Sequence, residues 1–198
     1  MNKKETKFIN SLKGYSLSNE DLDFILNPDT KINTISKLDD VKHFDELLDN
    51  LGRCIVLYGT ESVNVGHWVA LIKRGNTIEF FDSYGNSPFD LAKGLGMDKD
   101  NDKLVNKDGM KKMLKLIHDA GYDLKWNDVK FQKKDSYIAT CGRHAVFRLI
   151  LYKLDLEQYQ KYLKDMKTEL KADYDSLITA ITHPILHKNF LNNPNYQK

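Results

Sequence analysis

The residues best suited to covalent chemistry in this 198-residue chain are Cys141, His67 and Asp82. Cys141 lies where a short polar run meets a strongly apolar segment, so its thiol is predicted to lie at the start of a helix. Unpaired N–H groups and the helix dipole favour an anion there, and they lower the pKa of a thiol from about 8.5. A buried structural cysteine is the competing interpretation, and Cys141 considered alone favours it.

A predicted hairpin brings the other two residues together. His67 begins the apolar strand 67–73, the tight turn 74–76 follows, and Asp82 ends the next strand, 77–82. In an antiparallel hairpin the first residue of one strand lies near the last residue of its partner. A carboxylate orients an imidazole, and an imidazole takes the proton of a thiol, so this set is typical of nucleophilic acyl transfer.

Each of these residues also has a purely structural interpretation. His67 alone fits a hydrogen-bonded histidine at a strand end, and Asp82, followed by Ser-Tyr-Gly, fits the start of an Asx-turn. His144 is a rival base, but it would compete for room with the packing face of its helix, and no acid is evidently placed to orient it. Cys54 lies in an apolar strand and is predicted to belong to the core. Two cysteines without a Cys-x-x-Cys motif argue against a disulfide scaffold or a cysteine-rich zinc site, and no metal is predicted.

The composition is that of an ordinary globular protein, with 41% hydrophobic and 29% charged residues. The net charge of +2 hides lysine-rich stretches at residues 103–134 and 153–171, which would suit nucleic acid but are more often a solvated face. The first residues lack an apolar signal region, and no apolar run has the length of a transmembrane helix. We therefore expect a reducing, intracellular setting without a membrane partner.

The hydrophobic periodicity predicts an α+β protein with one domain over residues 1–198. Its expected parts are a helical N-terminal part at 1–52, a catalytic core at 53–154, C-terminal helices at 155–190 and a frayed tail at 191–198. The predicted helices are 18–26, 40–51, 108–120, 141–154, 156–171 and 176–186, the last broken at Pro184; the predicted strands are 53–58, 67–73, 77–82 and 126–132, and residues 90–107 are expected to be irregular.

Three motifs, in order, resemble one family of enzymes. Residues 66–72 (GHWVALI), 80–85 (FFDSYG) and 140–144 (TCGRH) are similar to the adenovirus-protease (adenain) and SUMO-deconjugating superfamily of cysteine proteases. The nearest resemblance is to versions encoded by virophages, Polinton-type elements and large DNA viruses, and it spans roughly residues 50–152. The resemblance implies a papain-like, circularly permuted fold, in which a central mixed or antiparallel sheet packs on a buried helix carrying the nucleophile. It also implies a Cys141–His67–Asp82 triad.

The resemblance implies further site residues. The family supplies an oxyanion-hole glutamine before the cysteine, and the nearby glutamine here is Gln132, farther upstream than the family's usual spacing. Trp68 is expected to pack beside the histidine and to wall the substrate cleft. Family members favour glycine or another small residue on the acyl side of the scissile bond.

The expected activity is that of an endopeptidase that cleaves a viral capsid or other structural precursor during maturation, in the virion and the host cell interior. No cofactor is expected to be required, although stimulation by DNA is conceivable because adenain responds to DNA and this chain is rich in lysine. Two alternatives stay open. One is an isopeptidase that removes a ubiquitin-like modifier, and the other is a noncatalytic module that docks onto capsid or nucleic acid.

Overall fold

The structure, a computed structural model, describes residues 3–26, 29–59, 66–94 and 107–192. These residues form an α+β protein with a five-stranded mixed sheet and seven α-helices. The strands are β1 (Lys31–Thr34), β2 (Arg53–Gly59), β3 (Gly66–Arg74), β4 (Thr77–Asp82) and β5 (Asp123–Trp126). The helices are α1 (Lys3–Leu12), α2 (Asn19–Ile25), α3 (Pro88–Lys93), α4 (Lys107–Asp119), α5 (Cys141–Ile150), α6 (Leu156–Leu170) and α7 (Tyr174–Asn192).

The sheet follows the order of the chain, β1-β2-β3-β4-β5. The three central strands are antiparallel, whereas β1 pairs with β2, and β5 with β4, in parallel. Successive side chains of a strand point to opposite faces, and β3 is apolar on both of them. Trp68, Ala70 and Ile72 join the cluster that contains α5, while Val69 and Leu71 join the cluster on the other face, which contains α4. The central hairpin is therefore covered on both sides, as its apolar sequence predicts.

Several predicted elements are confirmed. Strands β2, β3 and β4 and helices α4 and α6 lie within one or two residues of the expected positions. Helix α2 begins after Ser18, as its capping sequence indicates, because the Ser18 hydroxyl accepts from the backbone N–H of Asp21 and the Asp21 carboxylate accepts from the N–H of Ser18.

The prediction of a helix at 40–51 is wrong. The chain instead makes two 3-10 turns, Ile35–Asp40 and Phe44–Leu47. Phe44 and Leu47 are buried in the second turn, and their i, i+3 spacing suits a 3-10 turn as well as an α-helix. The part at 1–52 is also not purely helical, because β1 pairs with β2 there.

Other differences concern element boundaries. The prediction of a strand at 126–132 is wrong beyond Trp126: β5 is Asp123–Trp126, and after it the side chain of Asn127 binds the backbone of Asp82 at the end of β4. The apolar helix that begins at Cys141 ends at Ile150. Helix α1 was not predicted, and α3 occupies the start of the stretch expected to be irregular, whose residues 95–106 lie outside the described residues. Helix α7 continues through Pro184, because burial of Leu177, Ile178 and Leu186 outweighs one missing hydrogen bond. The predicted frayed tail lies outside the described residues from 193 onward.

None of the helices in the described ranges is both long and apolar enough to cross a membrane.

Candidate active site

Cys141 is the first residue of α5, and Thr140 is the N-cap residue of that helix. Residues 141–149 are all buried, since α5 packs against β3 in the centre of the molecule. The N–H groups of the first helical turn have no acceptor within the helix, so they are oriented towards any anion at its start. The thiol accepts hydrogen bonds from the backbone N–H groups of Trp68 and Gly142. The sequence-predicted junction of thiol and helix is therefore present.

His67 lies in β3 beside the end of β4. Nε2 of His67 is 2.8 Å from Oδ1 of Asp82. The Asp82 carboxylate also accepts from the N–H of Tyr84 at 2.8 Å, from Nδ2 of Asn86 at 2.9 Å and from the hydroxyl of Tyr58 at 3.3 Å. Burial raises the pKa of Asp82, but the charge and hydrogen bond of His67 outweigh burial, so the pKa lies below its ordinary value. Asp82 is thus an ionised, fully buried partner of the imidazole.

The Cys141 thiol forms a hydrogen bond with the His67 ring. Because Nε2 is bound to Asp82, Nδ1 is the ring atom left for the hydrogen bond with the thiol. Burial lowers the pKa of His67, yet the charges of Asp82 and Cys141 raise it to about 10. Burial raises the pKa of Cys141, yet the His67 charge and its hydrogen bond bring that pKa below the ordinary value for a thiol. Both shifts favour a thiolate–imidazolium ion pair.

Two tyrosines hold the His67 ring, and sequence reasoning did not find them. Tyr84 stacks on the ring with 4.6 Å between centroids, and Tyr58 contacts it edge-on at 5.4 Å. Tyr84 lies in the Ser-Tyr-Gly segment that follows Asp82, so its place in the motif was a usable signal. Tyr58 faces His67 through the register of β2 with β3, which the sequence did not reveal.

Trp68 is only 3% exposed. Its indole N–H donates to the carbonyl of Leu17 at 3.2 Å, and a Cβ added at Gly142 would lie 3.0 Å from Cδ1 of Trp68 and 3.2 Å from Cβ of Leu17. The indole therefore packs beside the nucleophile, under the segment that joins α1 to α2. Its expected contact with a substrate stays a prediction.

Gln132 lies beside the triad but is bound to other residues. Its Nε2 donates to the hydroxyl of Tyr84 at 3.1 Å and to the carbonyl of Ile138 at 3.4 Å. Its Oε1 accepts from the hydroxyl of Ser83 at 2.8 Å, and its backbone N–H donates to the carbonyl of Ser83. Gln132 is therefore linked to His67 through Tyr84, and both N–H groups of its amide have acceptors within the chain.

A cavity of about 590 Å³ adjoins this part of the site. Tyr84, Gln132 and Asp175 contribute to its lining, as do Lys130, Lys133, Lys134 and Lys167. The cavity therefore lies next to Tyr84, which stacks on His67, and next to Gln132, which binds Tyr84.

The expectation that no acid orients His144 is wrong. Nε2 of His144 is 3.2 Å from Oδ1 of Asp175, and both residues are fully buried. This acid was missed because it lies in α7, far along the sequence. The ring is fully buried and bound to Asp175 of α7, and the imidazole that acts on the thiol is that of His67.

Cys54 is a core residue, as predicted. It is fully buried in the cluster between the sheet and α4, and burial raises the pKa of its thiol far above the ordinary value. Within the ranges that the structure describes, no three side chains of histidine, cysteine or acidic residues are grouped as metal ligands.

The fold and the site together define an α+β protein with a buried cysteine–histidine–aspartate cluster where a mixed sheet meets a central helix. The chain is 33% identical over 180 residues to "Uncharacterized protein V9" of the Sputnik virophage, a match that covers 90% of this chain and 99% of that protein. The chain therefore belongs to the family of that virophage protein. No family model matches the chain.

Proposed function

We propose that this protein is a cysteine endopeptidase with Cys141 as nucleophile, His67 as general acid and base, and Asp82 as the residue that orients His67. The observation that carries the proposal is the buried chain of contacts from Asp82 through His67 to Cys141, with the thiol pKa lowered. Cys54, a structural cysteine in β2, has its pKa raised by burial instead. The contrast between the two cysteines supports a chemical role for Cys141.

The proposed reaction begins with the Cys141 thiolate, which attacks the carbonyl carbon of a peptide bond. The carbonyl oxygen becomes an oxyanion in the tetrahedral intermediate, and the protonated His67 gives its proton to the leaving amine as the C–N bond breaks. Water, deprotonated by His67, then attacks the thioester. The acyl product leaves as a carboxylic acid, which gives its proton to solvent, and the thiolate–imidazolium pair is regenerated.

The oxyanion would be held by the backbone N–H of Cys141 and the side-chain amide of Gln132. The amide would exchange its hydrogen bond to the carbonyl of Ile138, the longer of its two, for one to the substrate oxygen. The other bond, to Tyr84, would keep the amide beside His67.

The proposal includes a papain-like, circularly permuted fold and membership of the adenain-like superfamily. The order His67, Asp82, Cys141 along the chain supports it, as do the antiparallel hairpin that carries the first two residues and the buried helix that carries the third.

The proposed substrate is a viral structural protein precursor, cleaved in the virion or in the infected cell. The kinship with a virophage protein supports a viral setting. A small residue, above all glycine, is proposed on the acyl side of the cleaved bond, as the resemblance to the adenain-like proteases implies.

The test is to incubate the protein with the capsid precursor encoded by the same genome and to map new termini by mass spectrometry. New termini after glycine, present with the natural chain and Cys54→Ala but absent with Cys141→Ala, would support the proposal. Turnover of ubiquitin-like conjugates alone, in a parallel panel, would favour the isopeptidase. Binding to the precursor without cleavage would favour the noncatalytic module.

Stimulation by DNA is proposed as a separate property of the same site. Lys130, Lys133 and Lys134 lie on the segment beside the triad and are exposed, and DNA bound there would lie close to a bound substrate. The expected result is a higher cleavage rate with DNA that is lost as salt rises. A cleavage rate that DNA does not change at low salt would contradict this part of the proposal.

A further inference from the structure

The segment 133–140 joins the proposed oxyanion donor Gln132 to the nucleophile Cys141, and one carboxylate holds both of its ends. Oδ2 of Asp175 accepts from the backbone N–H of Lys133 at 3.1 Å, and Oδ1 accepts from the hydroxyl of Thr140. Asp175 is fully buried at the start of α7. The two ends of the segment are therefore fixed to the same side chain.

His144 completes this arrangement from within α5. It lies one helical turn after Cys141, and its Nε2 contacts the same Oδ1 atom of Asp175 at 3.2 Å. Burial raises the pKa of Asp175, but the hydrogen bond and charge of His144, together with Thr140 and Lys133, lower it overall. An ionised carboxylate thus receives donors from the start of the segment, its end and the nucleophile helix.

The interior of the segment is compact as well. The backbone N–H of Tyr137 donates to the Asp135 carboxylate at 2.9 Å, and that of Ile138 donates to the carbonyl of Asp135 at 3.0 Å. The N–H of Ala139 donates to the carbonyl of Lys13 at 2.8 Å. The turn at 135–138 thus shortens the path between Gln132 and Cys141 despite the number of residues between them.

We propose that Asp175, bound to Thr140 and His144, is a positioning residue that sets the distance between the Gln132 amide and the Cys141 N–H, the two groups that would hold the oxyanion. This inference rests on the proposed function. The carboxylate acts through the groups it holds and does not touch the thiol or a substrate. A displacement of about 1 Å at reacting groups can cost roughly 10²-fold in rate, so loss of this bond should weaken acyl transfer.

The test compares Thr140→Val, which removes the hydroxyl but keeps the shape, with Thr140→Ser, which keeps the hydroxyl. Two reagents distinguish an effect on oxyanion binding from an effect on the reactivity of the thiol. p-Nitrophenyl acetate acylates Cys141 through a tetrahedral oxyanion, whereas iodoacetamide alkylates the thiolate by direct displacement and forms no oxyanion. Both rates are measured at Cys141 by mass spectrometry, with thermal unfolding as the check on folding.

The expected result is that Thr140→Val slows acylation by roughly tenfold or more and leaves alkylation within about twofold. Thr140→Ser should keep the acylation rate within about threefold of that of the natural chain, because the serine hydroxyl can donate to the same carboxylate. If Thr140→Val unfolds, Thr140→Ala replaces it, since Ala puts no methyl group against Asp175.

Three outcomes would overturn the inference in different ways. Equal loss of both rates in Thr140→Val would show that Asp175 acts on the thiol or on overall folding. An unchanged acylation rate in Thr140→Val would show that the segment keeps its position without the hydrogen bond from Thr140 to Asp175. A natural chain whose Cys141 reacts with neither reagent would remove the proposed function, and the inference with it, whereas the first two outcomes leave the proposed function standing.

Discussion

His67 and Asp82 meet diagonally across the β3–β4 hairpin, with 2.8 Å between Nε2 and Oδ1, although the residue directly opposite Asp82 is Val69. His67 lies two residues beyond that pairing, on the same face of β3, and it is opposite Tyr58 of β2. The imidazole is therefore held by residues from both neighbouring strands. This leaves its other ring nitrogen for the Cys141 thiol.

The two cysteines should respond differently to substitution. Cys141→Ala should abolish peptide cleavage while the protein stays folded, because it removes the nucleophile but little volume. Cys54→Ala should keep activity and lower the free energy of unfolding by about 1 kcal/mol, since it creates a small void in the core. Cleavage assays and thermal unfolding of both variants check this, and equal losses of activity would contradict the assignment.

The reactivity of Cys141 should depend on pH in a characteristic way. Its lowered pKa means that the thiolate forms as pH rises through a value below the ordinary pKa of about 8.5 for a thiol. His67 stays protonated until pH approaches its raised pKa of about 10, so the ion pair persists between the two values. The rate of iodoacetamide alkylation, measured as a function of pH, gives the lower end of this pH range.

His67→Ala is the matched control for this pH profile. Without the imidazolium, only the backbone N–H groups of Trp68 and Gly142 oppose the effect of burial on the pKa of the Cys141 thiol, and the midpoint of alkylation should move to higher pH. At neutral pH the thiolate fraction falls about tenfold for each unit by which the pKa rises. A midpoint that does not move would show that His67 does not stabilise the thiolate.

Asp82→Asn should lower turnover by roughly 10²–10⁴-fold, the range of a general acid–base contribution. Burial lowers the pKa of His67, and without the Asp82 charge opposing it the ion pair shifts towards neutral imidazole and thiol. The backbone of Asp82 is bound on both sides by the side chain of Asn127, so the strand end should keep its place.

Asn86→Ala is a suitable comparison for Asp82→Asn, because it removes one donor to the carboxylate at 2.9 Å and leaves the charge. We expect a smaller loss of turnover from it. Turnover and the pH profile are measured for both variants, and an Asp82→Asn enzyme as active as the natural chain would exclude Asp82 from the triad.

Gln132→Ala should lower turnover by roughly 10²–10³-fold, as expected when one oxyanion donor is removed. Alkylation of Cys141 by iodoacetamide should change little, because that reaction forms no oxyanion. A loss of alkylation as large as the loss of turnover would mean that Gln132 acts by holding Tyr84 against His67. An unchanged turnover would point to another donor, such as a backbone N–H of residues 133–140.

The sequence by itself determined the parts of the site that depend on local geometry. A tight turn and two apolar strands fix which ends of a hairpin meet, so His67 and Asp82 could be placed from a short stretch of chain. The polar-to-apolar junction likewise placed Cys141 at a helix start. The unbroken apolar run from Trp68 to Ile72 also indicated a central strand covered on both faces, because successive side chains point to opposite faces and all of these are apolar.

Only the tertiary structure decided how distant segments support that site. Asp175 lies in α7, and nothing in the pattern around it shows that its carboxylate would bind Thr140, Lys133 and His144. Tyr58 faces His67 because of strand register, and Phe44 lies in a 3-10 turn although its spacing equally suits a helix. Contacts of this kind depend on long-range packing, which must bury apolar surface and also give buried polar and charged groups partners. A local sequence pattern does not carry that information.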